Sequence, residues 1–203
     1  MSLSETSFNK FFPADFTIET PRVILSPLTP EHRSILQPLT TDKDTWKYFT
    51  KDLSDPAQFE AFFEEAFSEK QVFRRMPFVI FDKDENKICG STSYGNISFF
   101  DKRIEIGWTW LATEFRGTGV NKQAKFGLLC YAFDVMKMER VEVKTDFLNE
   151  RSKAALLKIG MKPEGVLRSH MQMHSNRRRD TIYFSIIREE WAERKESFFP
   201  ELL

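Results

Sequence analysis

A glycine-containing turn between a strand-like and a helix-like segment most constrains how this chain can fold. It lies within TWLATEFRGTGVNKQAKFGLLCYAF, Thr109 to Phe133, where Gly117 and Gly119 stand two positions apart in a chain with only eight glycines. Glycine lets the backbone adopt positive φ and approach a ligand closely. The first amides of a helix lack intrahelical partners, and the helix dipole adds partial positive charge there. The turn therefore predicts a site for a phosphate or pyrophosphate, with a plain strand-to-helix connection as the alternative.

Basic side chains and missing motifs narrow the ligand that this turn would hold. Arg116 precedes the first glycine, and Lys122 and Lys125 are expected to bring further positive charge to the first turns of the helix. The segment matches neither GxxxxGK[ST], the phosphate loop of many nucleotide-binding proteins, nor GxGxxG, the dinucleotide fingerprint. We therefore expect a phosphate-bearing ligand of another class.

The segments around the turn predict a mixed structure of the α/β (α+β) class. Asp55 is a candidate N-cap, followed by Pro56 at the first position of a phenylalanine-rich helix. Asp82–Asn86 join two strands as in a hairpin. The segment DKRIEIGWTWL alternates strictly, which predicts a strand with two distinct faces. One face would carry Ile104, Ile106, Trp108 and Trp110, and the other Glu105, Gly107, Thr109 and Leu111. The remaining predicted elements are strands at 22–28, 140–147, 162–171 and 179–187, and helices at 30–38, 119–137 and 150–160.

Length, charge and cysteine usage exclude several classes of protein. The chain of 203 residues suits one domain spanning 1–203, with 1–20 as an N-terminal extension. Thirty basic residues balance thirty acidic ones, so no net field favours nucleic acid or a membrane as a partner. No secretion signal is visible, and no apolar run approaches the roughly 20 residues that span a bilayer. Cys89 and Cys130 form no CxxC pair and are expected to be reduced thiols of a cytoplasmic protein.

Several motifs in a consistent order resemble the acetyl-CoA-dependent GNAT acyltransferases. The loop RGTGVN, Arg116 to Asn121, is similar to the pyrophosphate loop [QR]-x-x-G-x-[GA] of that family. Downstream, RVEVKTDFLNERSKAALLKIGMKPEGVLRSHM is similar to the family's fifth strand, N-x-x-S helix and following strand. GWTWL and RRDTIYFSIIREEW resemble the RimJ/RimL branch of ribosomal-protein N-terminal acetyltransferases. The resemblance is clearest from Arg103 to Trp191.

The resemblance implies the GNAT fold, which is a mixed central sheet of about seven strands flanked by helices, with a splay between the fourth and fifth strands. The pantetheine arm of the cosubstrate acetyl-CoA would lie in that splay, and no metal is implied. The residues that the resemblance assigns to acetyl-CoA binding are Leu111, Ala112, Arg116, Gly117, Thr118, Gly119, Val120, Asn121, Asn149 and Ser152.

Two positions depart from the family pattern. Asn121 ends the loop in place of glycine or alanine, and Leu156 stands where many members carry a tyrosine general acid. In the matching branch a serine four positions earlier is the usual candidate to protonate the leaving thiolate, and here it is Ser152. Ser152 has the alternative role of a solvated serine in the first helical turn. Asn149 has the alternative role of capping that helix rather than binding pantetheine.

Glu105 is the candidate general base. It is a carboxylate within an apolar stretch and would remove the ammonium proton of the acceptor directly or through water. The alternative is a cross-strand partner for a lysine or arginine. A backbone N–H near Leu111 would meet the oxyanion. Glu105 and Ser152 are therefore the predicted catalytic residues.

The predicted activity is acetyl transfer from acetyl-CoA to a primary amine by direct attack in a ternary complex. The acceptor would be the α-amino group of a protein or a small molecule. The alternative is a regulatory CoA-binding module that no longer catalyses the transfer. Monomer and homodimer are both compatible with the sequence.

Two further groups of residues have open interpretations. Trp46, Tyr48 and Phe49 would roof the acceptor groove, as that region does in the family, or form a satellite core. The arginines at 177–179 predict a solvated basic turn, with contact to an acidic substrate or a CoA phosphate as the next interpretation.

Overall fold

In a computed structural model, which describes residues 3–203, one mixed sheet runs through the fold. Its strands are β1 (Ile18–Glu19), β2 (Val23–Pro27), β3 (Met76–Asp82), β4 (Lys87–Ser98), β5 (Arg103–Leu111), β6 (Arg140–Asp146), β7 (Lys162–Gln172) and β8 (Arg178–Ile187). They lie in the order β1-β2-β3-β4-β5-β6-β8-β7, and among these described strands only β5 and β6 run parallel. The predicted class is confirmed, and the short β1 brings the sheet to eight strands rather than about seven.

Helices cover both faces of the sheet. They are α1 (Leu3–Phe11), α2 (His32–Leu36), α3 (Pro56–Gln71), α4 (Val120–Cys130), α5 (Glu150–Leu157) and α6 (Arg188–Phe198). A π-helical turn, Tyr131–Val135, continues α4 and accounts for the rest of the long helix predicted there. Helix α4 packs in the larger of two hydrophobic clusters and α3 in the smaller one. The clusters lie on opposite faces, since the consecutive β3 residues Phe78 and Val79 belong to different ones.

Local sequence rules explain where the main helices begin. Asp55 Oδ1 accepts a hydrogen bond from the Gln58 amide at 2.9 Å, so Asp55 caps α3 as predicted. Gly119 precedes α4 with φ of 97°, a backbone conformation that favours glycine. The sequence therefore marks both helix starts without help from distant residues.

A β-bulge reverses the faces of β5, so the prediction of strict alternation is wrong. Trp108 and Thr109 together lie opposite Thr92 of β4, and Trp108 adopts φ of 51°. One extra residue in a strand moves every later side chain to the other face. Trp110 therefore packs in the smaller cluster, on the face of Glu105, while the Thr109 side chain points toward α4. Trp108 and Trp110 therefore pack on the face that was expected to carry Gly107 and Thr109.

The strands β5 and β6 separate after a short parallel contact, which confirms the predicted splay. Their last paired residues are Glu105 and Glu142, while β6 remains paired with β8 as far as Asp146. The β6-facing edge of residues 106–111 is therefore unpaired. We call the gap between residues 106–111 of β5 and residues 143–146 of β6 the wedge. It lies between the fifth and sixth strands in chain order because β1 adds one strand to the count.

The N-terminal segment contributes to the core. Phe8, Phe12 and Phe16 are buried in the larger cluster, so residues 3–20 of the predicted extension pack against the sheet. Residues 1 and 2 of that extension lie outside the described part of the chain. Over residues 3–203, no helix has both the length and the apolar composition that crossing a membrane requires.

Candidate active site

The turn before α4 has the backbone geometry of an anion site. Gly117 and Gly119 adopt φ of 76° and 97°, and nothing lies within 4 Å of a Cβ placed on either residue. The Gln123 amide donates to the Gly119 carbonyl at 3.0 Å. Among the described residues, no acceptor is hydrogen-bonded to the six preceding amides, 117–122. These amides and the adjacent helix N-terminus are the groups that bind phosphates at helix starts.

Arg116 is bound to the protein rather than directed into the turn as expected. Its Nε donates to the Leu111 carbonyl at 3.1 Å, its Nη1 lies 3.4 Å from Asp42 Oδ2, and its Nη2 donates to the Thr45 hydroxyl. Burial and then the charge of Arg151 lower the pKa of Arg116. The guanidinium therefore fixes the end of β5, and together with Arg151 it keeps positive charge near the turn.

The two lysines of α4 do not act as simple charges beside the turn. Lys122 forms an ion pair with Glu201 at 2.5 Å. Lys125 is buried, and its Nζ donates to Thr109 Oγ1 at 2.7 Å. Burial lowers the pKa of Lys125 from 10.5 to about 7. The prediction that Lys125 adds charge to the turn is wrong, because its position on α4 directs the side chain at the sheet.

Arg22 supports the turn from the neighbouring strand. Its Nη1 donates to the Thr118 carbonyl at 2.7 Å, while Nε and Nη2 bind the Asp82 carboxylate at 2.9 and 2.7 Å. Asp82 is fully buried, and the Arg22 guanidinium lowers the pKa of its carboxyl. This arrangement could not be predicted from the sequence because its three members are far apart along the chain. The one signal in the sequence was Arg22 itself, a basic residue at the start of the predicted strand 22–28.

The free edge of β5 presents a backbone donor to the wedge. The Ala112 amide donates to the Cys89 carbonyl at 2.9 Å, and Leu111 lies opposite Gly90. Hydrogen-bonded and non-hydrogen-bonded positions alternate in an antiparallel pair, so the Leu111 amide points away from β4 and into the wedge. The Ala112 amide and carbonyl are both paired within the chain. Leu111 therefore offers the available N–H of these two residues.

Glu105 lies at the closed end of the wedge and is 3% exposed. Its Oε2 accepts hydrogen bonds from Asn96 Nδ2 at 2.6 Å and Lys144 Nζ at 2.8 Å. The lysine contact is the cross-strand ion pair that the alternative interpretation of Glu105 expected. A Cβ at Gly107 would lie 2.9 Å from Glu105 Oε1. Within residues 3–203 that oxygen has no hydrogen-bond partner, so one carboxylate oxygen is fixed and the other is available.

Mainly basic side chains surround Glu105. Arg177 binds the buried Asp146 carboxylate, and Arg179 is itself only 7% exposed. Burial and nearby positive side chains lower the pKa of His170. The prediction of a solvated basic turn is therefore wrong for Arg179, because β8 carries this residue into the sheet beside Asp146 and Glu105.

Asn149 and Ser152 lie at the start of α5. Asn149 Oδ1 accepts a hydrogen bond from the Ser152 amide at 3.0 Å, so Asn149 caps the helix. This capping is one of its two expected roles. In the described structure the Asn149 side-chain nitrogen and the half-buried Ser152 hydroxyl have no hydrogen-bond partner. Both groups are therefore available to a ligand.

The aromatic segment before α3 belongs to the core. Trp46 is fully buried, and its Nε1 donates to the Thr40 carbonyl at 2.9 Å. It also forms one wall of a cavity of about 40 Å³ that Phe49, Trp108 and Trp110 line as well. Trp46 therefore has the satellite-core role that was one of its two interpretations.

The thiols and other metal-binding groups form no cluster. Cys89 and Cys130 are free thiols, and burial raises their pKa values to about 12 and about 11. No group of three histidine, cysteine, aspartate or glutamate side chains in residues 3–203 has a metal-binding arrangement. The site described above is built from backbone amides and charged side chains.

Comparison with known proteins gives the family of the chain. Residues 22–162 match the model of the acetyltransferase (GNAT) domain. The chain belongs to the GNAT acetyltransferase family. The matched segment includes the turn, both strands of the wedge and α5. It begins earlier and ends earlier than residues 103–191, where the sequence motifs were clearest.

Named relatives and solved structures agree with this membership. YdaF of Bacillus subtilis, a proposed ribosomal N-acetyltransferase, is 32% identical over 111 residues, which span 55% of this chain and 60% of YdaF. A GCN5-related N-acetyltransferase from Brucella melitensis has a TM-score of 0.84 at 25% identity, over 95% of this chain and 87% of that one. RimJ of Mycobacterium smegmatis, solved in complex with CoA-disulfide, has a TM-score of 0.72 at 22% identity, over 89% and 91%. This GNAT chain therefore shares the fold of the branch that its motifs resemble.

Proposed function

We propose that this GNAT protein transfers the acetyl group of acetyl-CoA to a primary amine in a ternary complex. The α-amino group of a protein is the first candidate acceptor and a small amine is the second. The observation that carries the proposal is the wedge, whose free strand edge begins beside Glu105 and leads to a turn with six amides lacking protein partners.

The groups along this path fit the parts of acetyl-CoA. The amides of residues 117–122 and the α4 dipole suit a pyrophosphate, and Arg151 and Arg116 add positive charge nearby. The free edge of β5, including the Leu111 amide, suits an extended chain of amides such as pantetheine. Acetyl-CoA supplies the acetyl group in activated form as a thioester. Asn149 and Ser152 lie on the β6 side of the path and have polar groups available.

The reaction joins the amine nitrogen to the acetyl carbon and breaks the carbon–sulfur bond. The amine loses a proton and the sulfur gains one. In our proposal, Glu105 Oε1 accepts the proton directly or through water, while Asn96 and Lys144 hold the other oxygen in place. The Leu111 amide stabilises the negative charge on the acetyl oxygen, and the Ser152 hydroxyl supplies the proton to the sulfur.

The surroundings of Glu105 favour a peptide-like acceptor. Glu105 points to the α3 face of the sheet, and Arg179 and His170 supply hydrogen-bond donors around it. A protein N-terminus presents carbonyl oxygens next to its amine, and such donors can bind them. The name of YdaF as a proposed ribosomal N-acetyltransferase points in the same direction. A small amine with a carbonyl or carboxylate group satisfies the same donors and is therefore the second candidate.

Thiol release from acetyl-CoA tests the proposal. A panel of N-terminal peptides and a panel of small amines would be compared at equal concentrations, with Glu105→Gln and Glu142→Gln as matched variants. Glu142 is opposite Glu105 in the sheet and is bound to Arg140, so its variant should keep the wild-type rate. Glu105→Gln should lower the rate by about 10²–10⁴-fold. An unchanged rate for this variant would remove Glu105 as the base, and absence of CoA binding and turnover would reject the function.

A CoA-binding module without catalysis has no support from the fold or from the named relatives. It predicts tight CoA binding with no turnover on either panel. A cytoplasmic location and the choice between monomer and homodimer stay predictions.

A further inference from the structure

Lys125 is a buried charged residue that the reaction scheme above does not use. The residue is 5% exposed, and its Nζ donates to Thr109 Oγ1 at 2.7 Å. Thr109 Oγ1 lies 2.7 Å from Thr92 Oγ1, so the lysine is anchored to a pair of hydroxyls. No carboxylate in the described structure is hydrogen-bonded to it. An ammonium group without a close anion is costly to bury, and packing alone does not explain why a lysine occupies this position.

Lys125 contacts the wedge through its hydrogen bond to Thr109. Thr109 belongs to the part of β5 that has no partner on β6, two residues before Leu111, whose amide points into the gap. The bulge at Trp108 turns the Thr109 side chain toward α4 and so brings the lysine to the α4 side of the wedge. A chain bound from the turn along the β5 edge would have its far end at this part of the strand. Lys125 and Glu105 then flank that end from opposite faces of the sheet.

Of the charged groups in residues 3–203, Glu105 is the one whose charge acts on Lys125. Glu105 of β5 is the carboxylate that raises its pKa, although burial lowers it more. Tyr94 of β4 donates to the Leu128 carbonyl on α4, and burial raises its pKa well above 10, so it stays uncharged. The side chains that β6 and α5 direct to this core are Val141, Val143 and Leu156.

We propose that the Lys125 ammonium stabilises the negative charge that forms on the acetyl oxygen and then on the departing CoA sulfur. The inference rests on the proposed acetyl transfer. The carbon–sulfur bond breaks with its electron pair on sulfur, and the amine proton leaves through Glu105, so Lys125 supplies charge and no proton. A cation that has no hydrogen-bonded anion before the reaction gains one during it, which is how a fixed charge favours a transition state over the ground state.

The test uses free CoA, whose thiol can ionise without any reaction. Wild-type protein, Lys125→Met and the exposed control Lys158→Met would each be saturated with CoA, and the ultraviolet absorbance of the thiolate followed against pH. CoA binding would be measured separately by calorimetry. The bound CoA thiol should ionise at lower pH in wild type and Lys158→Met than in Lys125→Met. The proton concentration at the midpoint should differ at least about tenfold. Acetyl transfer by Lys125→Met should fall about 10²–10³-fold in kcat with little change in KM.

The pH dependence of kcat gives a second readout. The wild-type rate should decline at high pH as Lys125 loses its proton, and this decline should be absent from Lys125→Met. An equal ionisation of the bound thiol in wild type and Lys125→Met overturns the proposal while leaving the acetyl transfer intact. If Lys125→Met does not fold, bound and free CoA are compared with wild type alone, and an identical thiol titration overturns it. Failure of CoA to bind to wild type would instead reject the proposed function itself.

Discussion

Replacing Lys125 by methionine should stabilise the protein, and the gain should shrink as the pH rises. The side chain is buried, and its pKa falls from 10.5 in the unfolded chain to about 7 in the fold. Below about pH 7 the amine is protonated in both states, so the fold bears the full cost of burying the charge. Above about pH 10.5 it is neutral in both states and the cost is gone. The contribution of Lys125 to the free energy of unfolding therefore rises with pH between about pH 7 and about pH 10.5.

The size of this stability difference follows from the pKa shift of Lys125. Each pKa unit corresponds to about 1.36 kcal/mol, so the full penalty is about 5 kcal/mol. Methionine has a similar length and no charge, and the variant loses one hydrogen bond to Thr109, worth about 1 kcal/mol. We expect Lys125→Met to be about 4 kcal/mol more stable than wild type at about pH 6. About 3 kcal/mol of that difference should disappear by about pH 9.

Urea unfolding of both proteins at the two pH values measures this difference. Ionisations of groups that do not interact with Lys125 affect both proteins equally and cancel in the comparison. Lys158→Met, which makes the same substitution at an exposed lysine, is the matched control. A difference between Lys125→Met and wild type that stays constant from about pH 6 to about pH 9 would refute the reasoning, because the buried amine would then titrate as it does in the unfolded chain.

Three further substitutions test separate parts of the site. Asn149→Ala should lower the free energy of unfolding by about 1 kcal/mol in urea, because the α5 cap is lost. Asn149→Asp keeps the cap, so its CoA binding reports on the pantetheine role alone. Weaker binding by this variant supports that role, and equal binding counts against it. Gly119→Ala should lower the free energy of unfolding by about 1–2 kcal/mol because of the positive φ at this position, and should weaken CoA binding in calorimetry. Gly165 has open space and no positive φ, so Gly165→Ala should have neither effect. Trp46→Ala should cost about 3–5 kcal/mol, and a loss below about 1 kcal/mol would show that the side chain is not core.

The helix starts and the glycine turn followed from local sequence rules. Asp55 and Asn149 cap helices where a capping residue precedes a helical pattern, and Gly117 and Gly119 adopt the positive φ that their position in a turn suggested. These features depend on the conformational preferences of a few neighbouring residues. The wedge was expected from resemblance of ordered motifs rather than from any one segment.

The identity of the partners at the site did not follow from the sequence, because the contacts join residues far apart along the chain. Arg116 binds Asp42 and Thr45, and Glu105 pairs with Lys144, although nothing near either residue in sequence indicates its partner.

The amino-acid sequence by itself determined the order of strands and helices from β2 to β8, the helix caps and the glycine turn, since each depends on neighbouring residues. The tertiary structure decided which side chains face the wedge. The bulge at Trp108 shifted the alternation of β5 by one residue and thereby sent Thr109 toward α4, where Lys125 meets it. Alternation along a strand is defined only relative to its paired neighbour, so an inserted residue changes the facing of every side chain after it.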